Sequence, residues 1–177
     1  MTLEGIAKLC EDELGMDAES DVRALVLCWR IGAKARPGEI SREEWKTGIE
    51  ALGIGDLKSI VPSLDPGFMD NKVFREFYRF CFQFNREGTH RTLEKDLVIA
   101  LLPMVIQNRS AFLTQFMTFL PQSGTTHVSA DQWNSFLEFS LTVELDFTGY
   151  DEDAAWPVLI DEFVEWSRKE KSAAEEK

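Results

Sequence analysis

The sequence predicts an all-α fold of two packed helical lobes with degenerate helix–loop–helix units. Apolar residues recur at the three- and four-residue spacing of amphipathic helices along most of the chain, and no stretch is convincing as a strand. A helix-start signature at Ile40–Trp45 recurs at Val128–Trp133. Two related helix–loop–helix units would explain this repeat, and so would a common capping signal that arose twice by chance.

The first half of the chain contains four predicted helices. An amphipathic helix opens the chain and ends near Gly15, and a second helix starts near Asp21. After a loop, a third helix is expected from about Arg42 to Leu52. A linker punctuated by glycine and proline follows, and the aromatic residues from Phe74 to Phe84 then recur at helical spacing. An aromatic stripe of this kind is more often core than binding site.

The second half contains four more predicted helices. Their expected bounds are about Leu93–Ile106, Arg109–Leu120, Trp133–Leu145 and Pro157–Lys171. Pro103 should kink the first of these helices or remove one backbone hydrogen bond. Residues 172–177 are expected to form a frayed tail.

Composition excludes several classes of function. The chain has 177 residues, 44% of them hydrophobic and 28% charged, which is typical of a soluble globular protein. Its net charge of −12 argues against nucleic acid as a partner, because phosphate binding needs clustered Lys and Arg. The charge favours solubility or a basic protein partner. No apolar run is long enough to span a bilayer, and the chain does not open with a signal peptide.

The cysteines indicate a reducing compartment. All three lie among apolar neighbours, which predicts buried, reduced thiols in an intracellular protein, in the cytoplasm, the nucleus or both. A thiolate would be disfavoured in such surroundings, so a catalytic cysteine is not expected. The only histidines, His90 and His127, do not have metal-ligand spacing, and the sequence contains no RING-type zinc cluster, nucleophile elbow or phosphate loop. We therefore predict no catalytic residues.

The loop before the third helix can be compared with the calcium loop of an EF-hand. If Gly38 takes the sixth position, Ile40 and Glu44 fall at the eighth and twelfth, as that pattern requires. The other ligand positions are poor in both predicted loops: Ala33, Ala35 and Pro37 in the first, and Pro121, Ser123 and Thr125 in the second. We therefore predict EF-hand-like units that bind no calcium, no other metal and no cofactor.

The last third of the chain contains two helix starts that combine carboxylates with large apolar side chains. Ser129 can cap the helix that contains Asp131, and Pro157 fits the first turn of the last helix, one turn before Asp161. The small Ala155 between acidic groups would let a partner approach closely. This pattern indicates a surface for a basic partner, although the same carboxylates could simply stabilise helix starts.

The run Tyr150–Glu165 resembles the C-terminal signature of the defective-in-cullin-neddylation (Dcn-like, or PONY-domain) family. The resemblance continues through Phe77–Phe84 and Asp131–Asn134 and covers nearly the whole chain, most weakly between Gly53 and Lys72. It implies a scaffold-type E3 co-ligase for cullin neddylation, with no catalytic role of its own. Such a scaffold would bind the C-terminal winged-helix domain of a cullin and the N-terminally acetylated tail of the neddylation E2, and it would hold the two together.

Two sets of residues follow from this resemblance. The cullin contact, called here the acidic patch, falls on Asp131, Ala155 and Asp161. The pocket for the acetylated E2 tail, called here the tail-pocket set, falls on Leu3, Ile6, Ala24, Leu27, Ile40, Phe84, Leu101 and Met104. The segment Lys34–Glu39 is one residue longer than the family pattern, and Leu101 replaces an expected aromatic residue, so the pocket should differ in shape.

The resemblance also implies a single domain over residues 1–171, with an N-terminal lobe of about 1–85 and a C-terminal lobe of about 86–171. We expect a monomer that binds neither nucleic acid nor membrane. Some family members carry a ubiquitin-associated domain before this region. Two other functions fit the residues alone: a calcium-independent EF-hand-like adaptor for another basic protein, and a small hydrolase that uses surface carboxylates.

Overall fold

The computed structural model describes residues 1–53 and 55–175. Most of these residues are helical, which confirms the predicted all-α class. The chain divides into two compact units, residues 1–90 and a second unit from Arg91 onward. Within the described residues, no helix is both long and apolar enough to cross a membrane.

The described residues of the first unit form four α-helices. Helix α1 spans Leu3–Lys8 and continues as a π-helical segment, Leu9–Leu14, which ends at Gly15. The remaining helices are α2 (Val22–Ile31), α3 (Arg42–Leu52) and α4 (Asn71–Phe84), and 3-10 turns occupy Leu57–Leu64 and Pro66–Phe68. The predicted positions of α2 and α3 are confirmed, and the predicted aromatic helix is α4.

Aromatic and aliphatic side chains form the core of the first unit. The rings of Phe74 and Phe77 lie 6.1 Å apart edge to face, and Trp29 packs on Phe77 at 5.8 Å. Helix α3 approaches α2 very closely at Gly48, where an added Cβ would lie 2.4 Å from the carbonyl oxygen of Ile31. Any larger side chain at that position would push the two helices apart.

The second unit contains helices α5 (Lys95–Ile106), α6 (Leu113–Gln122), α7 (Ala130–Thr142) and α8 (Val158–Glu175). Pro121 lies inside the last turn of α6 instead of ending it. Helix α8 begins one residue after Pro157, whose carbonyl accepts the first helical hydrogen bond from Ile160 at 2.8 Å. Helix α8 extends past the predicted end at Lys171 and into the segment that was expected to fray. The last two residues of that segment, Glu176 and Lys177, lie outside the described residues.

The expectation that the chain contains no strand was wrong. Strand β1 (Thr92–Glu94) pairs antiparallel with β2 (His127–Ser129), with Leu93 opposite Val128. Each strand has three residues and directly precedes a helix, so neither is long enough to produce a recognisable alternating pattern. The small sheet joins the loop before α5 to the loop before α7.

A cluster of phenylalanine rings fills the core of the second unit and fixes the starts of α7 and α8. Phe163 of α8 contacts Phe116 of α6 at 5.2 Å and Phe139 of α7 at 5.9 Å. Phe116 also stacks on Phe136 of α7, with ring centroids 4.0 Å apart. Because these rings come from three helices, their packing sets where the acidic side chains of α7 and α8 reach the surface.

Candidate functional site

The acidic patch lies entirely in the second unit. Asp131 is exposed in the first turn of α7, and the helix is capped by Ser129, whose hydroxyl accepts from the N–H of Gln132 at 3.2 Å. The Gln132 side chain in turn accepts from the N–H of Ser129 at 2.8 Å, which completes a capping box. The predicted cap at Ser129 is therefore confirmed. The Asp131 carboxylate takes no part in the capping box.

Asp161 is half-buried on α8 and accepts a hydrogen bond from the Tyr150 hydroxyl at 2.6 Å. Burial raises the pKa of Tyr150 above its ordinary value, and the adjacent Asp161 carboxylate raises it further. Tyr150 therefore keeps its proton at neutral pH and acts as a donor. This hydrogen bond involves one carboxylate oxygen of Asp161. The other oxygen is not held by Tyr150.

Ala155 is joined to Asp161 through two aromatic rings. The adjacent residue, Trp156, stacks on Tyr150 with centroids 6.4 Å apart and an interplanar angle of 25°. Phe139 of α7 packs edge-on against both rings, at 5.8 and 6.1 Å. The structure thus brings Ala155 and Asp161 into one cluster, whereas Asp131 lies two turns before Phe139, about 12 Å along the axis of α7.

The surface around this cluster is acidic. The segment Asp151–Glu165 contains six carboxylates and neither Lys nor Arg. Glu152 pairs with Arg168, and Glu165 pairs with Lys169 at 3.8 Å. Val158 lies one helical turn before Asp161 and is 69% exposed. The surface therefore combines carboxylates with an exposed apolar side chain, which suits a partner that is basic and partly apolar.

The tail-pocket set is divided between the two units. Six of its residues belong to the first unit, and five of these six are buried: Ile6, Ala24, Leu27, Ile40 and Phe84. Leu3 is different, because it is 60% exposed at the start of α1. In the second unit, Leu101 is buried and Met104 is half-buried, both on α5.

Leu3, Ile40 and Phe84 meet at the turn that contains Pro37 and Gly38. The N–H of Gly38 donates to the carbonyl of Phe84 at 2.7 Å, and the N–H of Ile40 donates to the carbonyl of Met1 at 2.8 Å. Gly38 has φ of 66°, and a Cβ added there would lie 3.3 Å from the Leu3 side chain. The segment Lys34–Glu39, which is one residue longer than the family pattern, thus makes a tight turn. The glycine in this turn leaves room for the Leu3 side chain.

In the first unit, Glu44 closes the loop before α3. Its carboxylate accepts from the N–H groups of Lys34, Ala35 and Ser41, each at 2.8 Å. Burial alone would raise the pKa of Glu44, but these N–H groups outweigh burial and lower the pKa to about 2. The residue at the twelfth EF-hand position therefore binds backbone amides of its own loop.

The loop before α7 is closed by a cation. The ammonium nitrogen of Lys95 lies 3.4 Å from the carbonyl oxygens of both Pro121 and Ser123, two of the predicted loop positions. The N–H of Lys95 also donates to the carbonyl of Thr126 at 2.9 Å. Among the residues that the structure describes, no group of three or more His, Cys, Asp and Glu side chains could hold a metal ion.

All three cysteines are buried in the first unit. Burial raises the pKa of Cys10 to about 11 and that of Cys28 to about 12, and it also raises the pKa of Cys81. These thiols are protonated at neutral pH, so they are poor nucleophiles.

Sequence reasoning missed the roles of Tyr150 and Arg168. Tyr150 belongs to the run that resembles the family signature, but it lies outside the helix that contains Asp161, so helical periodicity does not connect the two residues. Arg168 lies over the Tyr150 ring at 5.6 Å while it pairs with Glu152. Both interactions depend on how the segment between α7 and α8 folds back, which residue periodicity does not describe.

Comparison with known proteins gives consistent matches. A family model described as "Cullin binding" matches residues 56–166. DCN1-like protein 5 from Rattus norvegicus is 37% identical over 168 residues, which are 93% of this chain and 70% of that protein. The human DCN1-like protein 5 is 36% identical with the same coverage. DCN1-like protein 4 from Danio rerio is 38% identical over 166 residues, 92% of this chain and 58% of that protein.

Proposed function

The chain belongs to the cullin-binding family of DCN1-like proteins, and from this premise we propose that it is a scaffold-type co-ligase for cullin neddylation. The family membership gives it a role in cullin neddylation. The finer proposal is that it binds the C-terminal winged-helix domain of a cullin through the acidic patch. It also binds the acetylated N-terminal tail of the neddylation E2 through the tail-pocket set.

The observation that supports the cullin contact is the exposed acidic surface beside Asp161. A basic partner can approach Ala155 closely, because its side chain is a single methyl group and is exposed. Val158 adds an apolar contact that excludes water next to the charge. Charge complementarity across an interface contributes mainly to specificity and to the rate of association.

The E2 contact rests on Leu3 and the turn around Gly38. Leu3 is an exposed apolar side chain in a set whose other first-unit members are buried, and this exposure supports Leu3 as the entrance for an apolar tail. An acetylated terminus suits such a site, because a free amino terminus would bring a charge out of water at high cost. Acetylation removes that charge and leaves an amide that needs a hydrogen-bond acceptor.

The proposed mechanism is positional. The buried thiols, with their raised pKa values, support a chain that forms no thioester of its own. Binding the E2 and the cullin on one chain would convert a bimolecular transfer into one between held partners. Effective concentrations in such systems are commonly millimolar for flexible tethers and far higher when the reacting groups are also oriented.

The test is a reconstituted reaction with the modifier, its E1, the acetylated E2 and a cullin C-terminal fragment, run with and without this chain. We expect faster cullin modification with the chain and no acceleration when the E2 has a free amino terminus. We also expect the chain to leave E1-dependent charging of the E2 unchanged. Cullin modification at the same rate with and without the chain would contradict the proposal, and binding to basic proteins other than cullins would then favour a general adaptor.

A further inference from the structure

We propose that Tyr150 is a positioning residue for partner binding, which holds the Asp161 carboxylate in the orientation that a basic partner meets. This inference rests on the proposed use of the acidic patch and adds to it a residue that does not itself need to contact the partner. It starts from the 2.6 Å hydrogen bond that the Tyr150 hydroxyl donates to Oδ1 of Asp161.

The Tyr150 ring is held from several sides. Trp156 stacks on it, Phe139 packs edge-on at 6.1 Å, and the guanidinium of Arg168 lies 5.6 Å from its centroid. Arg168 is in turn paired with Glu152. A hydroxyl on a ring fixed in this way has few alternative positions, so its bond selects one rotamer of Asp161.

The backbone that leads to Tyr150 is also constrained. Phe147 has φ of 68°, a left-handed conformation that is unfavourable for a bulky side chain. Its ring stacks on Phe112 at 5.7 Å, and the ammonium of Lys171 lies 4.8 Å from its centroid. The N–H of Tyr150 then donates to the carbonyl of Phe147 at 3.1 Å. Packing around Phe147 therefore stabilises the unusual turn and places Tyr150 against Asp161.

A fixed carboxylate binds better than a mobile one for a simple reason. A partner that pairs with a mobile side chain must restrict it on binding, whereas here the restriction already exists in the free protein. The bond uses one oxygen of Asp161 and leaves the other for the partner. Removing the hydroxyl should therefore weaken binding without changing the charge of the surface.

The experiment uses Tyr150→Phe, which keeps the ring and removes only the hydroxyl. The affinity for a cullin C-terminal fragment is measured by calorimetry in the unchanged chain and in an Asp161→Ala background. We expect Tyr150→Phe to weaken binding about three- to tenfold in the unchanged chain. In the Asp161→Ala background the same substitution should have no further effect. The salt dependence of affinity should not change with Tyr150→Phe, because the charge is preserved.

The matched control is Tyr78→Phe, which removes the hydroxyl of the chain's other tyrosine, buried in the first unit. It should leave cullin affinity unchanged. An equal loss from Tyr150→Phe in both backgrounds would show a general structural role and would overturn the inference. Loss with Asp161→Ala but none with Tyr150→Phe would also overturn it, while leaving the proposed function intact. Full affinity with Asp161→Ala would refute the acidic patch and the inference together.

Discussion

The two units of the molecule use acidic side chains in opposite ways. In the first unit, Glu44 turns inward and its carboxylate binds three N–H groups of its own loop. In the second unit, a lysine closes the corresponding loop, while Asp131 and Asp161 are left at the surface of their helices. A carboxylate near a helix start is therefore structural when hydrogen-bond donors of its own loop lie within its reach. Where such donors are absent, the carboxylate is available to a partner, so residue type alone does not determine its role.

The same contrast holds for the two proposed contacts. The first-unit residues of the tail-pocket set are mainly core, with Leu3 as the exposed exception. The acidic patch is exposed or half-buried, and aromatic rings pack against the segment that contains Ala155 and Asp161. Substitutions in the first set should therefore change stability, whereas substitutions in the second should change binding.

The largest expected effect is on stability, from Leu27→Ala. Leu27 is 1% exposed, so truncation should leave a cavity and lower the free energy of unfolding by about 2–5 kcal/mol. Leu3→Ala, at an exposed position of the same set, should cost less than about 1 kcal/mol. Urea denaturation followed by circular dichroism measures both. Similar losses of unfolding free energy from Leu27→Ala and Leu3→Ala would show that Leu3 is as much a core residue as Leu27.

The next effect is on binding, from Ala155→Arg. A cation placed between the carboxylates should repel a basic partner and block its approach, and like charges at an interface cost several kcal/mol. We expect cullin binding to fall below detection in calorimetry with an unchanged melting temperature. Ala35→Arg is the charge-matched control, since Ala35 is exposed in the first unit. Equal losses from the two variants would mean that net charge, and not the patch, governs binding.

A smaller effect concerns pH and Glu44. The pKa of Glu44 is about 2 in the folded chain, below the value of about 4.3 in an unfolded chain. Its stabilisation is therefore fully present above about pH 4.3 and is lost as the pH falls towards 2. Glu44→Gln should lower the free energy of unfolding by about 1 kcal/mol near neutral pH. The difference in unfolding free energy between the variant and the unchanged chain should shrink as the pH falls below about 4.3.

Gln132 provides the comparison for this prediction, because it occupies the same capping position in the second unit without a charge. The cost of Gln132→Ala should not depend on pH over that range. Urea denaturation at several acidic pH values measures both variants. A pH-independent difference between the unchanged chain and Glu44→Gln would show that the charge of Glu44 does not stabilise the loop.

The smallest expected effect is that of calcium. Glu44 is occupied by loop amides, and the ammonium of Lys95 already lies at the carbonyls of the second loop. Millimolar calcium should therefore produce no binding heat and no change in melting temperature. Saturable calcium binding at either loop would mean that these internal contacts give way to a metal.

The sequence predicted the features that depend on local periodicity. Helices α2 and α3 and the cap at Ser129 follow from apolar spacing and a capping residue, and all are present. Strands β1 and β2 were missed because three-residue strands have no measurable period. The role of Tyr150 was missed because it depends on the left-handed turn at Phe147, a bulky residue for which that conformation is not expected.

Two separate contacts for two partners should lose affinity independently, which one matrix of calorimetric titrations measures. The unchanged chain, Asp161→Ala and Leu3→Arg are each titrated with a cullin C-terminal fragment and with an acetylated E2 tail peptide. We predict that Asp161→Ala weakens cullin binding to a still measurable affinity and keeps the peptide, whereas Leu3→Arg loses the peptide and keeps cullin affinity. Parallel loss of both partners in either folded variant, or retention of both in each, would show that the two contacts are not separate sites of this kind.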